Sequence, residues 1–249
     1  RRRTLTERGT EQLASGEGMT GIGVLDHPTA RVEMEEPEDE RVRGYRLNAC
    51  RKEPWTTNWI ENMVPGRCFL DVGACVGSYS LLAAKRGMMV IAVEPGFENY
   101  AALVRNAHRN KLEQAIVALR MALGPSNGLI SVPSELTMGM SMVTGAPVPG
   151  RMEVVPQFTI DQILGLMRCQ LPNYIKVDVD GNELGVLRGG RQVLSQLDCR
   201  EVLVEAKRGT EAAIAEELAQ CGLPLSQTFD KRNGQPIWDV VYLYFERKA

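Results

Sequence analysis

The sequence predicts an α/β fold: a seven-stranded, mostly parallel sheet with helices on both faces, closed by a C-terminal antiparallel hairpin. Two observations predict it. Short apolar runs alternate five times with segments of helical periodicity, and the last segment alone has the pattern of two strands about an Asn-Gly pair. Strand–helix alternation calls for parallel strands joined by crossovers that cover both sides of a sheet. A closing hairpin is not needed by a nicotinamide-type doubly wound sheet.

The elements follow in order. Residues 1–44 are polar and rich in Glu, Arg and Gly, with the acidic run "EMEEPEDE" from Glu33 to Glu40. They read as an N-terminal extension to a domain over 45–249, either disordered, above all in its first twenty residues, or a lid over a substrate site. "CFLDVG" is a strand ending in a turn, and "SYSLLAAKRG" a helix with Gly87 past its end, where a left-handed cap fits. "MVIAVEP" is a second strand, closed by Pro95; "NYAALVRNAHRNKL" repeats apolar residues at helical spacing through Leu103 and Ala107. "AIVALRMALG" is a third strand. "TIDQILGLM" begins at a Thr159 cap and puts Ile160, Ile163, Leu164 and Met167 on one helix face. "NYIKVDVDG" is a fourth strand, and "ELGVLRGGRQVLSQL" a helix disturbed by Gly189 and Gly190. "REVLVEAK" is a fifth strand, "TEAAIAEELAQCG" a helix capped by Thr210 and ended by Gly222, and "TFDKRNGQPIWDVVYLYFERK" the hairpin. The stretch from Ser134 to Gly150, rich in Met, Gly and Pro, reads as a long loop, either a mobile surface or an adaptable substrate entrance.

Composition narrows the chemistry. With 44% hydrophobic and 24% charged residues and a net charge of −2, the chain is that of a globular protein with no global attraction to nucleic acid or anionic membrane. It has no apolar run long enough to span a bilayer, and the charged start lacks the apolar core of a secretory signal, so a cytoplasmic location is expected. The six cysteines form no CxxC pair or zinc spacing and read as reduced thiols; no metal site is expected from them. The two histidines, His27 before Pro28 and His108 on a helix, have no sequence partner that suggests catalysis.

The informative stretch is "FLDVGACVGSYS", Phe69 to Ser80. In open α/β sheets ligands bind beyond the carboxyl ends of the strands. The dinucleotide fingerprint G-x-G-x-x-G would hold a pyrophosphate here on backbone amides. Gly73 fits its first position, but Cys75 and Ser78 replace the other glycines. Asp71 would repel a pyrophosphate and attract an ammonium or sulfonium group. The order Asp71, Gly73, Gly77 therefore suits S-adenosylmethionine, which carries both cations and no phosphate. Glu94, at the end of the next strand, stands where an acid accepts hydrogen bonds from ribose hydroxyls. Each acid alone is more often a solvated loop-edge carboxylate; in register with two strands and a glycine turn, the pair points to a nucleotide cofactor.

Four segments together resemble the FkbM-type S-adenosylmethionine-dependent methyltransferases: "FLDVGACVGSYSLLAAKRG", "VIAVEPGFENYAALVRNAHRN", "FTIDQIL" and "NYIKVDVDGNELGVLRGG". The resemblance runs from about Pro65 to Glu205, and the last segment narrows it from class I methyltransferases in general. One departure is Asp180, where the family usually has Glu. The resemblance implies a Rossmann-like class I methyltransferase fold and methyl transfer to a hydroxyl of a sugar, polyketide or other small molecule. It implies that Asp71, Gly73, Ala74 and Gly77 line the methionine end of the cofactor, Glu94 the ribose, and Met121 and Ala122 the adenine. Asp178 and Asp180 would face the reacting methyl group.

Methyl transfer is an in-line displacement governed by alignment, and an alcohol must also lose its proton. Asp178 is the first candidate for that base and Asp180 the second; Lys176, on the same strand face as Asp178, is either its structural partner or a catalytic group. Glu183 reads as a charge in the first turn of the next helix. A second version would have Asp178, Asp180 and Glu205 hold Mg²⁺. An NAD-binding oxidoreductase, a nucleic-acid methyltransferase and a non-catalytic cofactor-binding module are the remaining alternatives. The small-molecule acceptor and the oligomeric state are left open by the sequence.

Overall fold

The computed structural model describes residues 21–37, 40–133, 152–230 and 239–248. The stretch Ser134–Gly150, the first twenty residues and the Asn233–Gly234 turn lie outside the described residues.

Strands β1 (Gly21–Val24) and β2 (Glu33–Glu36) pair as an antiparallel hairpin. Helices α1 (Glu40–Leu47), α2 (Ala49–Lys52) and α3 (Pro54–Asn62) follow. The alternating region begins with β3 (Cys68–Val72), α4 (Ser78–Lys85), β4 (Met89–Val93), α5 (Phe97–Arg109) and β5 (Ile116–Leu119). A small second sheet interrupts it, made of β6 (Ala122–Leu123), β7 (Gly128–Pro133) and β8 (Met152–Phe158). Alternation resumes with α6 (Ile160–Met167), β9 (Tyr174–Val177), α7 (Glu183–Arg188), α8 (Arg191–Leu194), β10 (Glu201–Lys207) and α9 (Glu211–Gln220). The chain closes with β11 (Leu225–Asp230) and β12 (Val240–Glu246).

The main sheet has seven strands in the order β11-β12-β10-β9-β3-β4-β5, and only β12 runs antiparallel to its neighbours. This is the predicted α/β class with its closing hairpin. The chain winds outward from β3 through β4 to β5, then returns to the other side of β3 with β9 and β10. The β3/β9 boundary is thus the switch point where a crevice opens at the strands' carboxyl ends.

Side-chain alternation builds the core. Phe69, Val90, Tyr174, Leu203 and Tyr242 point to one face, with α3, α4 and α5; Leu70, Ile91, Ile175, Val202 and Val241 point to the other, with α6, α7 and α9. Strands buried on both faces read as continuous apolar runs. Leu70, Ile175, Val202 and Val204 are 0% exposed, each contributing roughly 1.5–3 kcal/mol of burial.

Residues 21–36 also enter this core: Leu25, Val32 and Met34 are buried in it. The acidic run begins as β2, held by two asparagines of α5. Asn106 Oδ1 accepts from the Glu35 amide at 2.8 Å, and Asn110 Oδ1 from the Glu33 amide at 3.0 Å. Arg105 grips Glu35 through two nitrogens.

Three local expectations are corrected. "AIVALRMALG" is not one strand: β5 ends at Leu119, and Arg120 turns away to pair with Glu153 of β8 and lie over the Phe97 ring. Thr159 caps α6 as expected, accepting from the Gln162 amide at 3.1 Å, but Thr210 does not cap α9; its hydroxyl donates to the Lys207 carbonyl instead. Gly189 and Gly190 do not merely disturb the expected helix but divide it into α7 and α8, and at Gly189 a side chain would meet the Gly124 carbonyl oxygen at 2.1 Å.

Candidate active site

A cleft of about 1560 Å³, its open mouth included, lies over the carboxyl ends of β3, β4 and β9. One end is formed by Glu94, Gly96, Asn99, Met121, Ala122 and Gln157. The other is formed by Tyr45, Lys52, Tyr79, Lys176, Asp178 and Glu205.

The glycine turn is the floor between them. Gly73 has φ +84°, and a Cβ there would stand 1.8 Å from the Asp178 carbonyl oxygen, so the crossing of the β3 and β9 chain ends admits only glycine. Four of the turn's amides are already engaged. Gly73 and Ala74 donate to the Val93 carbonyl at 2.9 and 3.0 Å, Cys75 to Glu94 Oε2 at 2.9 Å, and Gly77 to the Ala74 carbonyl at 2.8 Å. A pyrophosphate site needs such amides free. These four amides are therefore not available to cradle a phosphate.

Asp71 lies beneath the turn rather than at its mouth. It is 1% exposed and does not line the cleft. Ser80 Oγ donates to its Oδ2 at 2.6 Å, and Oδ1 has no hydrogen-bond partner among the described residues. Burial pushes its carboxyl up, against the pull of Lys176, which stands opposite it in the β3–β9 ladder. Gly77 also stands back from the cleft; with φ +92° and Leu103 Cδ1 2.4 Å from any added Cβ, it serves the close packing of α4 on α5.

Glu94 is 7% exposed and lines the cleft. Its oxygens accept from the amides of Cys75 and Gly96 at 2.9 Å each, and from Asn99 at 3.4 Å. Burial raises its carboxyl, and these bonds oppose the rise. A carboxylate has about four lone-pair sites, so it retains acceptor capacity toward hydroxyls. Gly73, Ala74, Met121 and Ala122 line the cleft as well; Met121 follows the end of β5 and Ala122 opens β6.

At the acidic end, Lys176 is 2% exposed along its side chain and places its ammonium 2.6 Å from Asp178 Oδ2 and 5.1 Å from the centre of the Tyr79 ring. Tyr242 donates its hydroxyl to Glu205. Burial alone would raise Asp178, but the Lys176 ammonium and a hydrogen bond from Glu205 hold it below the usual carboxylate range. Glu205 is pushed well up by burial and by Asp178, so it keeps the proton between them. Asp180, at the exposed rim with φ +55°, is pushed up to about 7 by restricted solvation and then by Asp178 and Glu183. Lys52 pairs with buried Glu53 at 2.9 Å. Carboxyl groups outnumber ammonium groups around this end, but Lys176 and Lys52 pair with Asp178 and Glu53 and Glu205 keeps its proton, so the excess of negative charge there is small. Oxygens of Asp178, Asp180 and Glu205 come within 4.8 Å of one another, which would also suit a divalent cation, though the Lys176 ammonium already neutralises Asp178.

Glu183 is buried at the start of α7 and accepts from the Gly181 amide at 2.7 Å, a turn-closing role. His27 is buried against Glu61, and His108 is exposed. Sequence reasoning missed Tyr45, Arg46, Lys52, Tyr79, Asn99 and Gln157. The first three sit in helices placed by tertiary packing, and nothing in their local pattern marks them.

The comparisons with known proteins bear on the family and the fold. The family model for the methyltransferase FkbM domain matches residues 71–223. The chain is similar to the hexuronic acid methyltransferase AglP of Haloferax volcanii, 29% identical over 143 residues, 57% of this chain and 56% of that protein. A stretch of 77 residues is 34% identical to a tRNA (guanine(37)-N(1))-methyltransferase of Aedes aegypti, 31% of this chain and 13% of that protein. The match therefore spans about half the length of the first relative and far less of the second. Among solved structures, the FkbM methyltransferase of Methylobacillus flagellatus KT superposes with a TM-score of 0.52 at 17% identity, covering 83% of this chain and 62% of that one. The magnesium protoporphyrin IX methyltransferase of Synechocystis PCC 6803, with bound S-adenosylmethionine, gives 0.53 at 14% identity and covers 86% of each chain. These two are likenesses of fold. Among the described residues no helix is long and apolar enough to cross a membrane.

Proposed function

The chain belongs to the FkbM family of S-adenosylmethionine-dependent methyltransferases, and from that premise we propose that it methylates a hydroxyl oxygen of a small molecule, a sugar first among them. Bound S-adenosylmethionine supplies an electrophilic methyl group on a sulfonium centre. The chain's own residues supply charge, placement and a proton acceptor.

The donor set fits this cofactor. The engaged amides of Gly73, Ala74, Cys75 and Gly77 disfavour a pyrophosphate, and the carboxyl groups of Asp178 and Asp180 face the end where a sulfonium would stand. Glu94, Met121 and Ala122 are at hand for the nucleoside, and Gly73 and Ala74 for the methionyl part.

The observation that carries O-methylation is the meeting of Asp178 and Asp180 at the cleft wall. Asp178, bound by Lys176, holds a fixed negative charge toward an acceptor hydroxyl. Asp180 reaches the rim, and a base near neutrality is the one matched to accepting a proton at working pH. This reverses the order in which the two aspartates enter from the sequence. Alignment of the hydroxyl with the methyl group supplies the larger part of such a rate. The name of the haloarchaeal relative supports a sugar acceptor.

The test is transfer of labelled methyl from S-adenosylmethionine to a panel of neutral glycosides and hexuronides, with excess EDTA present in one arm. Product carrying an alkali-stable methyl ether, formed equally with EDTA, supports the reading. A methylated nitrogen or carbon, a methyl ester, or loss of activity with EDTA restored by Mg²⁺, refutes the corresponding part of it.

A further inference from the structure

The closing hairpin enters the site as well as the fold. Strand register sets Glu205 of β10 opposite Tyr242 of β12. It also sets Val204 opposite Val177 of β9, so the residues that follow them, Glu205 and Asp178, are neighbours in turn. Residues opposite one another in a sheet send their side chains to the same face. Asp178, Glu205 and Tyr242 therefore stand in one row across the carboxyl end of the sheet, on the face covered by α3 and α4. The row is hydrogen-bonded from end to end. The Tyr242 hydroxyl donates to Glu205 Oε1, Glu205 bonds Asp178, and the Lys176 ammonium meets Asp178 Oδ2 at 2.6 Å. Asp178 and Glu205 line the cleft. Tyr242 lies behind them, 0% exposed, with its ring 5.0 Å from that of Trp55 and Phe229 opposite it on β11.

This arrangement controls an angle that Lys176 alone leaves loose. The terminal torsion of an aspartate is broad, and one ion-pair contact does not set the plane of its carboxylate. A second bond, from Glu205, sets that plane, and the bond from a phenol locked by packing holds Glu205. We infer that Tyr242 is a positioning residue for methyl transfer: acting through Glu205, it sets the orientation in which Asp178 faces the acceptor hydroxyl. This rests on the O-methylation reading above. It gives a mechanistic role to a residue beyond the span that the family model matches. In the relay Glu205 donates to Asp178 and accepts from Tyr242, and a glutamine amide can make both bonds.

Methyl transfer by the parent, Tyr242→Phe, Glu205→Leu, Glu205→Gln and the double variant Tyr242→Phe/Glu205→Leu is the test, with urea unfolding and S-adenosylmethionine calorimetry on each chain. Tyr242→Phe deletes one oxygen and keeps the ring beside Trp55. Its kcat is expected to fall roughly 10- to 100-fold, the cost of misplacing a group by up to about 1 Å. Acceptor KM and cofactor Kd should stay within about twofold, the mark of an interaction made in the transition state. Glu205→Gln should keep at least about tenfold more activity than Glu205→Leu, which reads the relay without touching the tyrosine. In the double variant Tyr242→Phe should add nothing to the loss from Glu205→Leu. A merely structural tyrosine would lower stability and leave the kcat of the folded chain unchanged, which overturns the inference. Losses that multiply in the double variant overturn it, as does a Glu205→Gln chain as slow as Glu205→Leu. A parent chain that forms no methyl ether on any acceptor of the panel overturns the O-methylation reading itself, and the inference with it.

Discussion

Lys176→Met removes an ammonium group from the centre of the sheet and keeps most of the buried stem. The lost partner is Asp178, 2.6 Å away, with Asp71 in the adjacent strand as a second neighbour. Removing one member of a buried ion pair costs about 3–5 kcal/mol. Asp71 pulls the value toward the upper end; proton uptake by Asp178 pulls it toward the lower. About 4 kcal/mol is expected, or a fall in Tm of roughly 8–16 °C for a chain of this size. Urea and thermal unfolding of the parent, Lys176→Met, Asp178→Asn and the double variant measure it. Once Lys176 is gone the second change removes an unpaired charge, so the double variant should be no less stable than Lys176→Met. The pH dependence has a definite sign. Asp178 is held below its usual value, so its stabilisation is present above the unfolded value and is lost as pH falls through the folded one. Lys176 is held above its usual value, so its share is present below that value and is lost only as pH rises beyond it. The stability difference between parent and Lys176→Met should therefore shrink in acid. A Tm within about 2 °C of the parent, or single-variant losses that simply add, would refute the coupling.

Three further outcomes follow from the geometry. With Asp180 as the base, kcat/KM should climb about tenfold per pH unit and level off above about 7, and Asp180→Asn should abolish that limb; a profile flat from pH 5 to 8, roughly, would remove Asp180 from the role. Gly73→Ala forces a Cβ against the Asp178 carbonyl oxygen at φ +84°, so it should cost at least about 2 kcal/mol in urea unfolding, whereas a fully stable variant would mean that the strand ends can part. Asn106→Ala deletes bonds to the Glu35 amide and the Val76 carbonyl at a fully buried site; roughly 2–3 kcal/mol should be lost, with faster hydrogen exchange at Glu35, and protection at that amide unchanged would show that β2 is held some other way.

The sheet was legible because its signals are local. Each central strand is buried on both faces, so "CFLDV" and "YIKV" read as continuous apolar runs, and the left-handed glycines Gly87 and Gly222 mark helix ends. The second sheet was not legible. Leu129 and Val154 are exposed on it while Val132 and Val155 are buried, so its apolar residues do not separate inside from outside. The acidic run misled in a different way: β2 buries one side chain, Met34, and depends on asparagines more than seventy residues away. Asp71 shows the limit of motif reasoning. Its place in the motif announces a charge near the ligand, but the pleat turns that side chain under the turn, toward Ser80. Arg46 carries no motif at all; only the folded chain brings it over Cys75 and Asn99.

The cleft joins parts of different standing in the chain. Its floor, from Gly73 to Glu205, falls inside the span matched by the family model, while Tyr45, Arg46 and Lys52 precede that span and Tyr242 follows it. A fragment cut to residues 71–223 would lack one wall, both strands of the closing hairpin and the first three residues of β3. Wall and floor are fitted to each other through the backbone as well: Ser78 and Tyr79, at the start of α4, donate their hydroxyls to the carbonyls of Arg46 and Ala49. A wall that leans on the floor in this way carries side chains over the cleft while its main chain sets their height. Grafting residues 45–52 from another member of the family onto this frame is the direct way to ask whether that stretch governs the choice of acceptor.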